Sequence, residues 1–106
     1  MKKLVILLLI MLPLAVVAQN IKKAKVDGFK FILNLDTKEA ELARNVYRGH
    51  IIIPEKITFE GQEYTITSIG ESAFYMSDVA AVEIPNTVKF IGSGAFSGCS
   101  FLSRDI

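Results

Sequence analysis

Beyond residue 28, apolar and polar side chains alternate along much of the chain. In Phe29-Lys30-Phe31-Ile32-Leu33-Asn34-Leu35 every odd position is large and apolar. A period of two places those side chains on one face of a strand. Asp36-Thr37-Lys38 reads as a turn, and Glu39 to Arg44 returns with Ala40 and Leu42 on one side and Glu39 and Glu41 on the other. The pattern predicts a β-hairpin over Phe29 to Arg44. A short helix at Lys38 to Arg44 is the alternative, since those residues are good helix formers. Asn45 to His50 is a polar connection containing Gly49. Ile51-Ile52-Ile53-Pro54 is a short β-branched run closed by proline. Lys56-Ile57-Thr58-Phe59 and Tyr64-Thr65-Ile66-Thr67 flank Glu60-Gly61-Gln62-Glu63, which predicts a second hairpin around a Gly-containing turn.

The last stretch repeats. Ile69-Gly70-Glu71-Ser72-Ala73-Phe74 recurs as Ile91-Gly92-Ser93-Gly94-Ala95-Phe96, about 22 residues later, with four identities in six positions. Between the copies lies Val82-Glu83-Ile84-Pro85, an alternating strand ended by proline. Ile51 to Pro54 reads as an earlier version of that unit, with the second hairpin inserted before Ile69. Each unit implies a strand that pairs with its counterpart in the next turn, and a proline that ends it. Ile69, Ile84 and Ile91 would point inward. Gly70 and Gly92 would permit a sharp turn or a positive φ. Ala73-Phe74 and Ala95-Phe96 would lie on short helical segments, with Ser68 and Glu71 at capping-box spacing. Stacking is required because one turn cannot bury its own apolar face.

The chain opens differently. Lys2 and Lys3 precede an unbroken apolar run, Leu4 to Leu12; Pro13 follows, and Val16-Val17-Ala18 offers small residues for a signal peptidase. These features predict a secretory signal over residues 1–18, cleaved to leave Gln19. A retained anchor is the rival, but a spanning helix needs about 20 apolar residues and this run stops at Gln19-Asn20 and Lys22-Lys23. Asn20 to Asp27 is polar and basic. It reads as part of a flexible lead over residues 19–28.

The 106-residue chain has a formal charge of +1. Losing Lys2 and Lys3 brings it to roughly minus one, without the basic concentration that nucleic acid demands. A polybasic membrane-surface segment is disfavoured for the same reason, and no span is expected after signal removal. Cys99 is the only cysteine, so neither an internal disulfide nor a thiolate metal site is expected. His50, the only histidine, has no partner at a catalytic or metal-ligand spacing and reads as a solvated loop residue. Gly92 to Gly98 lacks the Lys-Ser/Thr ending of a phosphate loop. No catalytic, cofactor or metal residue is expected. Glu83 and Asp105 are candidate partner-binding residues, because each takes the outward place on successive strands.

These residues resemble the BspA-type leucine-rich repeat family of bacterial surface proteins. The matching text is Ile69 to Phe74, Val82 to Val88, and Ile91 to Leu102 with Gly98-Cys99; the first repeat replaces that pair with Met76-Ser77. Phe29 to Thr67 resembles the β-rich segment that precedes the first repeat in such proteins. The resemblance implies a mainly β fold with short helical turns. N-terminal β-hairpins over 29–67 would form a cap leading into a short solenoid over 68–106, with about two repeats, the last incomplete. The structural repeat positions are Ile69, Gly70, Ala73, Phe74, Ile84, Pro85, Ile91, Gly92, Ala95, Phe96, Cys99 and Leu102.

The resemblance also implies an exported or surface-attached binding module without catalytic residues or cofactors. Its partner would be a host or bacterial surface protein, and adhesion is the implied role. Periplasm, outer surface and medium remain open as destinations. Ile106 aligns with Ile84 but no proline follows it, and Arg104 takes the inward place of Val82. A truncated fragment of a longer repeat protein, self-associating through an uncapped C-terminal end, is therefore the alternative. A protein inhibitor of an enzyme is a further possibility, since inhibition needs only a complementary surface.

Overall fold

The computed structural model describes residues 20–100 and Leu102. The expected signal segment, Arg104, Asp105 and Ile106 lie outside those residues. Among the described residues eight strands follow one another: β1 (Ile21–Val26), β2 (Phe29–Asn34), β3 (Glu39–Leu42), β4 (Arg48–Ile52), β5 (Lys56–Phe59), β6 (Gln62–Ile69), β7 (Asp78–Glu83) and β8 (Phe90–Ile91). They form two sheets. One runs β1-β2-β3-β6-β5, with β8 also on β6; the other is β4-β7.

The two hairpins form where alternation and turn chemistry predict them. β2 and β3 pair antiparallel, Phe31 opposite Leu42 and Leu33 opposite Ala40. Phe31, Leu33, Ala40 and Leu42 are all buried. At the turn, Asn34 Oδ1 accepts from the Asp36 and Thr37 N–H groups at 3.0 and 3.1 Å, so an asparagine side chain closes the loop. β5 and β6 join through Glu60-Gly61, with φ of 50° and 78°. Two successive positive φ values match the twist of a two-residue hairpin.

The lead expected over residues 19–28 is instead largely strand. β1 pairs antiparallel with β2 along its whole length, and Asp27-Gly28 makes the turn with φ of 49° and 84°. Asp-Gly is a strong hairpin signal. The lysines masked it: only Ala24 and Val26 in β1 turn apolar side chains toward the core. The sheet curls until its outer strands meet, with Lys22 Nζ 2.7 Å from Glu60 Oε1 and 5.4 Å from the Phe59 ring centre.

Parallel pairing builds the solenoid. β3, β6 and β8 line one side and β4 and β7 the other, with Leu42 opposite Ile69, Ile69 opposite Ile91, and Ile51 opposite Val82. Thus β3 to β4, the end of β6 to β7, and the segment from β8 onward are successive coils. The β5–β6 hairpin is inserted after the first. Thr67 and Ala80 are extra residues in β6 and β7 that shift the register by one. Such bulges bend a strand and increase its twist.

The corner between the two sides holds no helix among the described residues. Segments 71–76 and 93–98 are consecutive turns. The Ala73 N–H donates to the Gly70 carbonyl and the Ser77 N–H to that of Phe74; Ala95 to Gly92 and Cys99 to Phe96 repeat the scheme. The third residue of each turn has positive φ: Ser72 57°, Met76 57°, Gly94 65° and Gly98 76°. A left-handed residue every fourth position is incompatible with a helix. Ser68 therefore caps nothing; its Oγ donates to Glu41 Oε1 at 3.3 Å.

Candidate functional site

Stacked corners lock the coils together through the backbone. The Phe74 N–H donates to the Ala95 carbonyl at 2.7 Å, Met76 to Ser97 at 2.9 Å, and Ser72 to Ser93 at 3.1 Å. The Gly70 N–H donates to the Leu42 carbonyl and the Gly92 N–H to the Ile69 carbonyl, at 2.8 and 2.7 Å. Gly70 and Gly92 do not have the positive φ anticipated for them. Their role is close approach. A Cβ on Gly92 would stand 2.5 Å from the Glu71 nitrogen, and one on Gly70 would stand 2.9 Å from the Leu42 oxygen.

Aromatic rings fill the corner in a column. Phe74 and Phe96 stack with centres 5.1 Å apart, and Tyr47 lies 4.9 Å from Phe74 and 5.8 Å from Phe29. Ala73, Phe74 and Ala95 are buried. Phe96 is half-buried. Tyr47 is the phenylalanine equivalent of the first coil, which the polar look of Asn45 to His50 concealed. The signal was the spacing: Leu42 to Tyr47 matches Ile69 to Phe74 and Ile91 to Phe96. The Tyr47 hydroxyl donates to the Ala43 carbonyl at 2.9 Å and accepts from the Lys30 N–H at 3.3 Å. Burial pushes its pKa up, partly opposed by the Lys30 bond.

Ser77 and Cys99 close equivalent turns. Ser77 Oγ accepts from the buried Tyr47 N–H at 3.1 Å, and Cys99 Sγ donates to the Phe74 carbonyl at 3.0 Å. Burial raises the Cys99 thiol pKa. That suppresses the thiolate and suits a packing residue rather than a nucleophile. Leu102 and Cys99 pack against the core. Ile84 and Ile91, expected inward, are 40% and 52% exposed. Ile84 follows the end of β7 and Ile91 ends β8, and no described coil stacks beyond them.

The outer face of β4 and β7 carries the exposed side chains Arg48, His50, Ile52 and Glu83, while Ile51, Ile53, Val79 and Val82 pack inward. His50 therefore sits on a strand, not in a loop, with Nε2 2.8 Å from Glu83 Oε2. Glu83 points outward as expected; its companion Asp105 lies outside the described residues. Among the described residues no group of three or more His, Cys, Asp or Glu side chains could hold a metal ion.

Parallel strands stacked coil on coil, joined by tight corners with an aromatic column, define a leucine-rich-repeat solenoid. The family model described as "BspA type Leucine rich repeat region (6 copies)" matches residues 41–106, and the chain belongs to that family. Two solved structures are similar. A leucine-rich repeat protein from Bacteroides capillosus is 35% identical with a TM-score of 0.70, over 76% of this chain and 62% of the other. A leucine rich cell surface protein from Faecalibacterium prausnitzii is 29% identical with a TM-score of 0.65, over 79% of this chain and 24% of the other. The chain thus spans less than two thirds of either. No curated protein matches it.

Proposed function

We propose that this chain is an exported, non-catalytic repeat module that binds a protein partner at the bacterial cell surface through the outer face of β4 and β7. The observation that carries this reading is the alternation on those strands. Inward residues are anchored in the core, so Arg48, His50, Ile52 and Glu83 project from a backbone that is already ordered. A pre-organised face loses little entropy on binding, and neighbouring coils of a solenoid extend such a face. The mixture of both charge signs with an exposed isoleucine suits a protein surface better than a polyanion. Family membership supports a role in protein contact, since leucine-rich repeats are generally contact modules. The cell-surface relative supports the location.

Two measurements test it. Mass spectrometry of the chain recovered from fractionated cells is expected to show Gln19 as the N-terminus; an intact Met1 form confined to the cytoplasm sinks the export reading. Immobilised extracellular-matrix and bacterial surface proteins are expected to bind the folded chain saturably. Glu83→Lys should weaken that binding. If the folded chain binds none of them, the adhesion reading fails.

A further inference from the structure

The N-terminal sheet carries a second surface, on the side away from its core. A cleft of about 580 Å³ crosses β1, β2 and β3 toward the first corner, a size typical of ligand clefts. Lys23, Lys25, Lys30 and Arg44 line it together with Ile32 and Ala43. Glu41 and Glu71 are the acidic lining residues, and Glu41 is engaged by the Ser68 hydroxyl. Alternation explains the grouping: Ala24 and Phe31 face the core, so Lys23, Lys25, Lys30 and Ile32 share the outer face.

The cations are not arranged for internal pairing. Lys25 stands directly opposite Lys30 across the β1–β2 ladder, and like charges so placed repel. Elsewhere on this sheet, Lys22 pairs with Glu60 and Lys56 with Glu63. Among the described residues, none of the four cleft cations has a carboxylate within ion-pair distance. Arg44 lies over the Tyr75 ring, 4.9 Å from its centre, which holds the guanidinium at the corner end. The cleft therefore offers unneutralised positive charge beside a partly apolar floor.

We propose that this cleft docks a short polypeptide segment that presents acidic and apolar side chains together on one face. Carboxylates neutralise the opposed Lys25 and Lys30 and reach Lys23 or Arg44, and apolar side chains on the same face of the segment cover Ile32 and Ala43. A sulfated glycan meets the charge but leaves the apolar floor uncovered. An anionic bilayer is flat and does not enter a cleft. The site is separate from the outer face of β4 and β7 and does not depend on what binds there.

The test uses the full chain and a fluorescent octapeptide, Glu-Glu-Val-Val repeated twice, whose extended form shows both side-chain types on either face, read by anisotropy. The expected result is saturable binding that weakens as salt rises, is lost when Gln replaces Glu in the peptide, and is unaffected by Glu83→Lys. Charge reversal, Lys25→Glu with Lys30→Glu, is expected to weaken it about tenfold or more and to admit a Lys-Val octapeptide instead. If that reversal disturbs the hairpin, as read by circular dichroism, Lys25→Gln with Lys30→Gln serves. Retained affinity in either folded variant overturns the site. So does equal binding of the Gln peptide, absence of saturable binding, or tighter binding of heparin or phosphatidylglycerol vesicles through the same lysines.

Discussion

Replacing Gly92 with alanine puts a methyl group where only backbone is available to yield. The added Cβ would lie 2.5 Å from the Glu71 nitrogen, 2.7 Å from the Gly70 carbonyl carbon and 2.8 Å from the Glu71 Cα. Comfortable carbon contacts begin near 3.5 Å, so adjacent coils must separate by roughly 1 Å at this point. Two bonds span that gap, Gly92 N–H to the Ile69 carbonyl at 2.7 Å and Ser72 N–H to the Ser93 carbonyl at 3.1 Å. Overpacking costs about 1–3 kcal/mol, and each stretched bond adds about 0.5–1.5 kcal/mol if lost. Reduced freedom of the unfolded chain returns about 0.4–1 kcal/mol, because Gly92 needs no left-handed φ. The net expectation is a loss of about 1–3 kcal/mol, with the higher end reached if both bonds break. Gly94 is the control. Its φ is 65° but its nearest neighbour, Ser72 Oγ, is 3.7 Å from the added Cβ, so Gly94→Ala should cost only about 1–2 kcal/mol of backbone strain. Urea titrations followed by circular dichroism compare the midpoints at constant slope. A Gly92→Ala midpoint equal to or above that of Gly94→Ala would refute the close approach of the coils.

The column predicts graded losses. Phe74→Ala should cost about 3–5 kcal/mol and Phe96→Ala distinctly less, because only Phe74 is fully buried; the same urea titration measures both. Tyr47→Phe removes the hydroxyl that joins the Ala43 carbonyl to the Lys30 N–H, which should cost about 1–2 kcal/mol, and a wild-type midpoint would show that the bridge contributes nothing. The raised Tyr47 pKa gives a pH dependence of definite sign. Its neutral form is favoured in the fold, so its contribution is intact below the unfolded value of about 10 and is lost as pH rises through the higher folded value. Alkaline melts should show a stability loss that is smaller in Tyr47→Phe.

Local order and family were legible in the sequence where side-chain chemistry is local. The β2–β3 and β5–β6 hairpins follow from alternation and turn residues, and the recurrence of Ile-Gly and Ala-Phe identifies the repeat. Glu83 reads as outward from its neighbours alone. Less accessible was anything decided by a residue distant in the chain. β1 has few apolar positions and is a strand because β2 lies beside it. Tyr47 joins the column because stacking brings it against Phe74, and a tyrosine fits there only because Ala43 and Lys30 satisfy its hydroxyl.

The corners show the division most clearly. Sequence alone marked Gly70 and Gly92 as special positions but assigned them a conformational role. Stacking revealed that the preceding coil occupies the space of their missing side chains. The left-handed residues are Ser72 and Met76 in one coil and Gly94 and Gly98 in the next. Glycine makes that conformation cheap, but serine and methionine are held in it by bonds between coils. The amino-acid sequence determined which segments repeat and which faces are apolar, because those are properties of neighbours in the chain. Tertiary structure decided how closely the coils approach, and which charges on the N-terminal sheet are left without a partner, because both depend on residues that meet only when the coils stack.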